Sequence, residues 1–194
     1  GKVAMESMNH VLVLIAHGTE EMEAVIVTDI LRRAGLSVIV AGDNEIVTCS
    51  RGVRIIPDTQ IEKLTDTETF EMIVIPGGAE GVQNLASDPF VERLLTAHLE
   101  RNGYVAALCA APALLAELHM MHKDTAITSH PSVQHILQEY TYLEESVVID
   151  GNFVTSRAAG TAFEFALALV EILTTPEKSE KIARDILFSL HRDE

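Results

Sequence analysis

Apolar residues along this chain follow two alternating rhythms, and the alternation defines the elements. His10-Val-Leu-Val-Leu-Ile-Ala16 is apolar at nearly every position, which predicts a strand covered on both faces, as in a parallel sheet. The period then changes. Met22, Ile26 and Ile30, with Val27 and Leu31, recur at helical spacing, Thr19 is placed to cap that helix, and Gly35 stands where a helix stops. Glu20, Glu21 and Glu23 fall in the first turn, where the positive helix end favours carboxylates. Residues 36–41 predict a second buried strand, and residues 46–56, centred on Arg51-Gly52, a short edge hairpin that interrupts the rhythm.

The alternation resumes with a strand over 71–76 that ends in Pro76-Gly77-Gly78. Asp88-Pro89 opens a helix that Gly103 ends, proline being suited to the first helical position. Further along, the pattern predicts a strand over 104–108, a helix over 110–118, a short strand over 126–128 and a short helix over 132–139. A hairpin over 147–155 turns at Asp150-Gly151, and an apolar helix covers 161–173. Thr175-Pro176 then caps an amphipathic helix reaching to about His191. Residues 1–9 read as a loose tail, and 10–194 as a single doubly wound α/β domain with a mostly parallel sheet.

Composition narrows the function classes. Apolar residues make up 47% of the 194, enough for a core on both sides of a sheet. The formal net charge of −15 repels phosphate backbones and anionic lipid, so nucleic acid is not an expected partner. The longest apolar run, 104–116, contains Pro112 and is too short to span a bilayer, so no membrane is expected either. Cys49 and Cys109 lack metal-ligand spacing, and no basic-then-apolar leader precedes the first strand; both point to a reducing, cytoplasmic compartment.

In a doubly wound sheet, ligands bind beyond the carboxyl ends of the strands. The 18–23 turn, Pro76-Gly77-Gly78, Cys109 and Ser129-His130-Pro131 all fall there. Cys109 sits between a buried strand and a helix, with Ala107 and Ala111 leaving room for a sharp elbow. A helix N-terminus beside it would favour the reactive thiolate. The alternative is a small buried side chain that only packs. Glu23 is either a first-turn helix carboxylate like Glu20 and Glu21, or a carboxyl that exchanges a proton with the thiol. His130, stiffened by Pro131, is a base or orienter for Cys109, or an ordinary surface histidine. Pro76-Gly77-Gly78 is a tight turn, or half of an oxyanion pocket completed by the amide after Cys109. His119 and His122 lack an evident third ligand, and neither a dinucleotide nor a P-loop motif is present.

Taken in order, Ala16-His-Gly-Thr-Glu-Glu-Met-Glu23, Arg32-Arg-Ala-Gly35, Cys49-Ser-Arg51, Pro76-Gly-Gly78, Ala107-Leu-Cys-Ala-Ala-Pro112, Thr128-Ser-His-Pro131 and Thr155-Ser-Arg157 resemble the ThiJ/PfpI superfamily. The resemblance is strongest to its parkinsonism-associated protein deglycase (DJ-one) branch, and it covers roughly residues 10–173. It implies a flavodoxin-like α/β sandwich, usually a homodimer. By the same resemblance, Cys109 is the reactive cysteine, Glu23 its glutamate, His130 the nearby histidine, and Gly78 and Ala110 the backbone oxyanion donors. The implied activity is a glutathione-independent glyoxalase of the glyoxalase III type, or a deglycase, acting on small reactive aldehydes without a cofactor or metal. The other implied role is a non-enzymatic redox sensor or chaperone using the same cysteine. Two positions depart from the pattern: Ala111 stands where glycine is frequent, and Ala158-Ala159 where Gly-Pro is usual. These bear on rate and substrate size.

Overall fold

The computed structural model describes residues 10–189; the expected tail at 1–9 lies outside them. The strands and helices alternate as β1 (His10–Ile15), α1 (Glu21–Arg33), β2 (Ser37–Gly42), the hairpin β3 (Val47–Thr48) and β4 (Arg54–Ile55), and β5 (Thr59–Gln60). They continue as β6 (Met72–Ile75), α2 (Ala79–Ala86), α3 (Pro89–Glu100), β7 (Tyr104–Leu108), α4 (Pro112–Glu117), β8 (Ala126–Ile127) and β9 (Thr141–Tyr142). The last four are β10 (Val147–Asp150), β11 (Phe153–Ser156), α5 (Ala162–Leu173) and α6 (Pro176–Asp185).

Seven strands form the central sheet in the order β10-β11-β7-β6-β1-β2-β5. Every neighbouring pair is parallel except the β10–β11 hairpin. Period-two geometry explains why β1 is apolar throughout. Val11, Val13 and Ile15 face one layer, with Val27, Ile30 and Leu31 of α1, Phe165 and Leu169 of α5, and Ile182 of α6. Leu12 and Leu14 face the other, with Val82 and Leu85 of α2, Val91 and Leu95 of α3, and Leu114 and Leu115 of α4. This is the expected α/β sandwich. No helix among the described residues is long and apolar enough to cross a membrane.

Several local expectations are corrected. Helix α1 is capped by Glu20, whose side chain accepts the Glu23 N–H, while the Thr19 hydroxyl closes the preceding turn by accepting the Ala16 N–H at 2.9 Å. Pro76-Gly77-Gly78 leads directly into α2, a helix that the glycines and Asn84 hid from a periodicity reading. Residues 110–111 form a turn, so α4 begins only at Pro112 and is six residues long. The 132–139 helix is a 3₁₀ segment over Pro131–Ile136. The 46–56 hairpin is a separate two-stranded sheet rather than part of the main one. Helix α6 stops at Asp185, with Leu187 in the left-handed region and Phe188 stacked on Phe163 at 5.5 Å.

One buried histidine ties stability to pH. His98 on α3 is 1% exposed; its Nε2 bonds the Tyr104 carbonyl at 2.7 Å, and its Nδ1 is buried without a partner. The ring fills the space above Gly103, where any Cβ would strike it. Burial, aided by Arg101 and opposed by the Tyr104 carbonyl, lowers its pKa below 6.5. Below pH 6.5 the unfolded chain therefore binds a proton that the folded one resists, and stability falls as pH drops through that value. The urea midpoint of the native protein is expected to fall more steeply between pH 7 and pH 5 than that of His98→Gln; parallel profiles would contradict this role.

Candidate active site

The sheet order brings the expected residues together. β1, β6, β7 and β11 are consecutive parallel neighbours, so their carboxyl ends lie side by side. The chain winds outward from β1 in one direction and from β6 in the other, and a crevice opens at that reversal. α1 begins after β1, Pro76-Gly77-Gly78 follows β6, and Cys109 follows β7.

Three glutamates share the first turn of α1, and the structure gives each a different task. Glu20 caps the helix by accepting the Glu23 N–H at 3.0 Å. Glu21 turns to the hairpin and accepts from the Ser50 hydroxyl at 2.7 Å and the Arg51 and Val53 amides at 2.9 and 3.2 Å. Burial works against its charge, but its own N–H and these donors outweigh it and hold the carboxyl at about 2. Glu23 points inward and is 1% exposed. Its Oε1 accepts the Gly77 N–H at 2.7 Å, its Oε2 is buried without a hydrogen-bond partner, and the carboxyl interacts with the Cys109 side chain. Burial raises this carboxyl to about 7, with the Glu20 charge adding and the Gly77 amide and Cys109 opposing.

Cys109 occupies a left-handed backbone conformation, φ 66°, at the elbow after β7. This conformation is costly for a residue with a Cβ, on the order of 1–3 kcal/mol. Two hydrogen bonds pin it: its N–H donates to the Ser156 carbonyl at 3.1 Å, and its carbonyl accepts the His130 N–H at 2.8 Å. Flanking Ala107 and Ala111 are fully buried, so larger side chains would not fit the bend. The amides of Gly78 and Ala110 both donate to the sulfur. Gly77 packs against both residues: a Cβ there would come within 2.5 Å of the Cys109 Cβ and 2.6 Å of the Glu23 Oε1. The sequence made Gly77 visible only as half of a glycine pair; its contact with both Cys109 and Glu23 was not.

The electrostatics correct one expectation. A helix end alone was to lower the thiol, but burial and the Glu23 carboxylate push it up to about 12, outweighing the Gly78 and Ala110 amides. α4 begins three residues beyond the sulfur and adds little. These surroundings resist charge on both groups at once, so the pair holds a single proton from about pH 7 upward. The carboxyl, at about 7 against about 12, is the more acidic member and carries most of the resting charge, while the Gly78 and Ala110 amides stabilise the minor form with the charge on Cys109.

His130 stands beside this pair through its backbone rather than a side-chain contact. Its Nδ1 accepts the Ser132 N–H at 3.1 Å and pairs with the Ser132 hydroxyl at 2.8 Å. An accepting Nδ1 places the proton of the neutral ring on Nε2, so His130 can donate from that nitrogen but not act as a base through it. Next to it, Tyr142 and Arg157 both donate to the Ser129 carbonyl, at 3.0 and 3.1 Å. Tyr142 escaped the sequence reading because β9 is only two residues long. Cys49, 4% exposed, is pushed up to about 11 by burial and by Glu21 and Glu20. No group of three or more potential metal ligands occurs among the described residues.

Comparison with known proteins assigns the chain to a family. Residues 9–172 match the pattern of the DJ-1/PfpI family. The chain belongs to that family. Protein dj-1beta of Drosophila melanogaster is 42% identical over 180 residues, covering 91% of this chain and 95% of the fly protein. The crystal structure of Drosophila melanogaster DJ-1beta superposes with a TM-score of 0.89 at 41% identity, covering 94% of this chain and 100% of that one. Another DJ-1/PfpI relative, the glutathione-independent glyoxalase DJR-1.2 of Caenorhabditis elegans, is 37% identical over 188 residues, covering 94% of this chain and 98% of its own.

The shared proton predicts the reactivity of the two cysteines. Iodoacetamide is expected to alkylate Cys109 with an onset near pH 7, set by the first ionisation of the pair, while Cys49 stays silent until strongly alkaline pH. Peptide mass spectrometry across a pH series reads both sites. Equal, late onset at the two would mean that no share of the negative charge reaches Cys109.

Proposed function

We propose that this protein is a glutathione-independent glyoxalase of the glyoxalase III type, converting 2-oxoaldehydes such as methylglyoxal to 2-hydroxy acids. One observation carries the reading: a buried carboxyl that binds a proton near neutral pH faces a cysteine sulfur to which two backbone amides donate. The name of the Caenorhabditis elegans relative supports it. Cys109 thiolate adds to the aldehyde carbon, and the resulting oxyanion takes the Gly78 and Ala110 N–H groups and then the Glu23 proton, giving a hemithioacetal. The Glu23 carboxylate next removes the hydrogen from that carbon to form an enediol and returns it to the adjacent carbon. The hydroxyl proton of the first carbon passes to the second oxygen, which His130 Nε2–H stabilises by a hydrogen bond without net loss of its own proton. The product is a 2-hydroxy thioester; water cleaves it, releasing the acid and restoring the thiol. No step calls for a cofactor, and a reducing, cytoplasmic setting suits the free thiol.

The test follows lactate formed from methylglyoxal without glutathione. Cys109→Ala is expected to abolish it, and Glu23→Gln to lower kcat by roughly 10²–10⁴-fold. No turnover by the native protein, or equal turnover by Cys109→Ala, overturns the reading and leaves the cysteine as a redox sensor whose sulfinate would take the Glu23 proton.

The active form is a homodimer on this reading. Met22 and Val25 on α1 and Val53 and Ile56 on the hairpin are all more than half exposed, and Val25, Ile55 and Ile56 line a groove of about 610 Å³ that does not include Cys109. Apolar residues concentrated on one face suit a second copy of the chain. Sedimentation at micromolar concentration is expected to show a dimer, and Val53→Asp a monomer; a monomeric native protein refutes the arrangement.

A further inference from the structure

Glu20 has no part in the mechanism above, yet it closes a ring of hydrogen bonds around the reacting pair. Its backbone N–H donates to the Gly77 carbonyl at 2.9 Å. The Gly77 N–H donates to the Glu23 Oε1 at 2.7 Å, and the Glu23 N–H donates back to the Glu20 Oε2 at 3.0 Å. Three residues from two strand ends are locked together, and one member is a half-buried carboxylate whose only hydrogen bond among the described residues is to the backbone of the residue it influences. It has no cationic partner among the described residues, whose ion pairs lie at Glu80, Asp58, Asp29 and Asp185.

We infer that Glu20 is a positioning residue that biases the shared proton toward Glu23 and so raises the share of negative charge on the Cys109 sulfur. Building on the reading of Glu23 as the proton carrier, it assigns the cap of α1 a second, electrostatic role. A fixed negative charge one helical turn before Glu23 disfavours a second charge on that carboxyl. Glu20 is not among the groups acting on the Cys109 sulfur. The charge of Glu20 therefore discriminates between the two places the anion can sit. The charged and titratable groups acting on Glu23 are Glu20 from its own helix and Cys109 from the β7 elbow, while the β6–α2 turn supplies only the neutral Gly77 amide. Glu21, the remaining acid of that turn, is engaged by the hairpin.

Charge and geometry can be separated, because glutamine keeps an oxygen to accept the Glu23 N–H and aspartate keeps both cap and charge. With ¹³C-labelled glutamate assigned through Glu23→Gln, the titration of the Glu23 carboxyl is followed by NMR in the native protein, Glu20→Gln, Glu20→Asp and Glu20→Ala. Glu20→Gln is expected to move the Glu23 midpoint down by on the order of one pH unit. It should also slow Cys109 alkylation at pH 7 by up to about tenfold, without changing the urea midpoint. Glu20→Asp restores both readouts. Glu20→Ala loses the cap as well and lowers the urea midpoint. An unshifted Glu23 midpoint in Glu20→Gln, or a shift that Glu20→Asp does not restore, overturns the inference. Neither titration nor alkylation depends on aldehyde turnover, so a native protein inactive on methylglyoxal sinks the glyoxalase reading alone.

Discussion

A single negative charge shared between a carboxyl and a sulfur, both packed against one glycine, is the constraint around which this molecule is organised. Neither group tolerates its partner's charge in so buried a place. Both residues press against Gly77, where any side chain would strike the Cys109 Cβ and the Glu23 Oε1. Gly78 is fixed just as tightly: with φ of 92°, a Cβ on it would run into the Gly18 carbonyl. The turn after β6 thus presses backbone against backbone on the turn after β1, and its amides reach the reacting atoms as a result.

The energetics of the elbow show why the surroundings are so thoroughly bonded. A left-handed cysteine costs about 1–3 kcal/mol. A backbone hydrogen bond contributes about 1 kcal/mol net, so those to Ser156 and His130 roughly offset that cost. The rigidity comes from elsewhere, from the strands on either side of β7 and the two apolar layers that clamp them. Each strand supplies one loop to the crevice, and none of these loops could hold the site alone.

Most of the architecture was legible in the chain because the buried strands are continuous apolar runs and the long helices carry their own caps. The strand Tyr104–Leu108 emerged with its boundaries intact, and Asp88-Pro89 marked α3 to the residue. What escaped notice was short or rich in glycine: α2, β5 and β9 bury too little in sequence order to leave a periodic trace. The site divides similarly. Cys109, Gly78 and Ala110 followed from strand-end placement and resemblance. Spacing could not choose among three neighbouring glutamates, because the choice depends on what each meets across the fold: a hairpin for Glu21, a glycine amide for Glu23. The thiol was misjudged for the same reason, since its strongest neighbour, Glu23, lies 86 positions earlier in the chain.

The elbow also has an evolutionary side. Glycine at position 109 would relieve the backbone cost and leave the sheet intact, whereas alanine would keep the cost and lose only the sulfur. Mutational drift at this codon is thus offered a more stable fold in exchange for the chemistry. A lineage that keeps cysteine there is one in which selection on what the sulfur does has outweighed selection on folding.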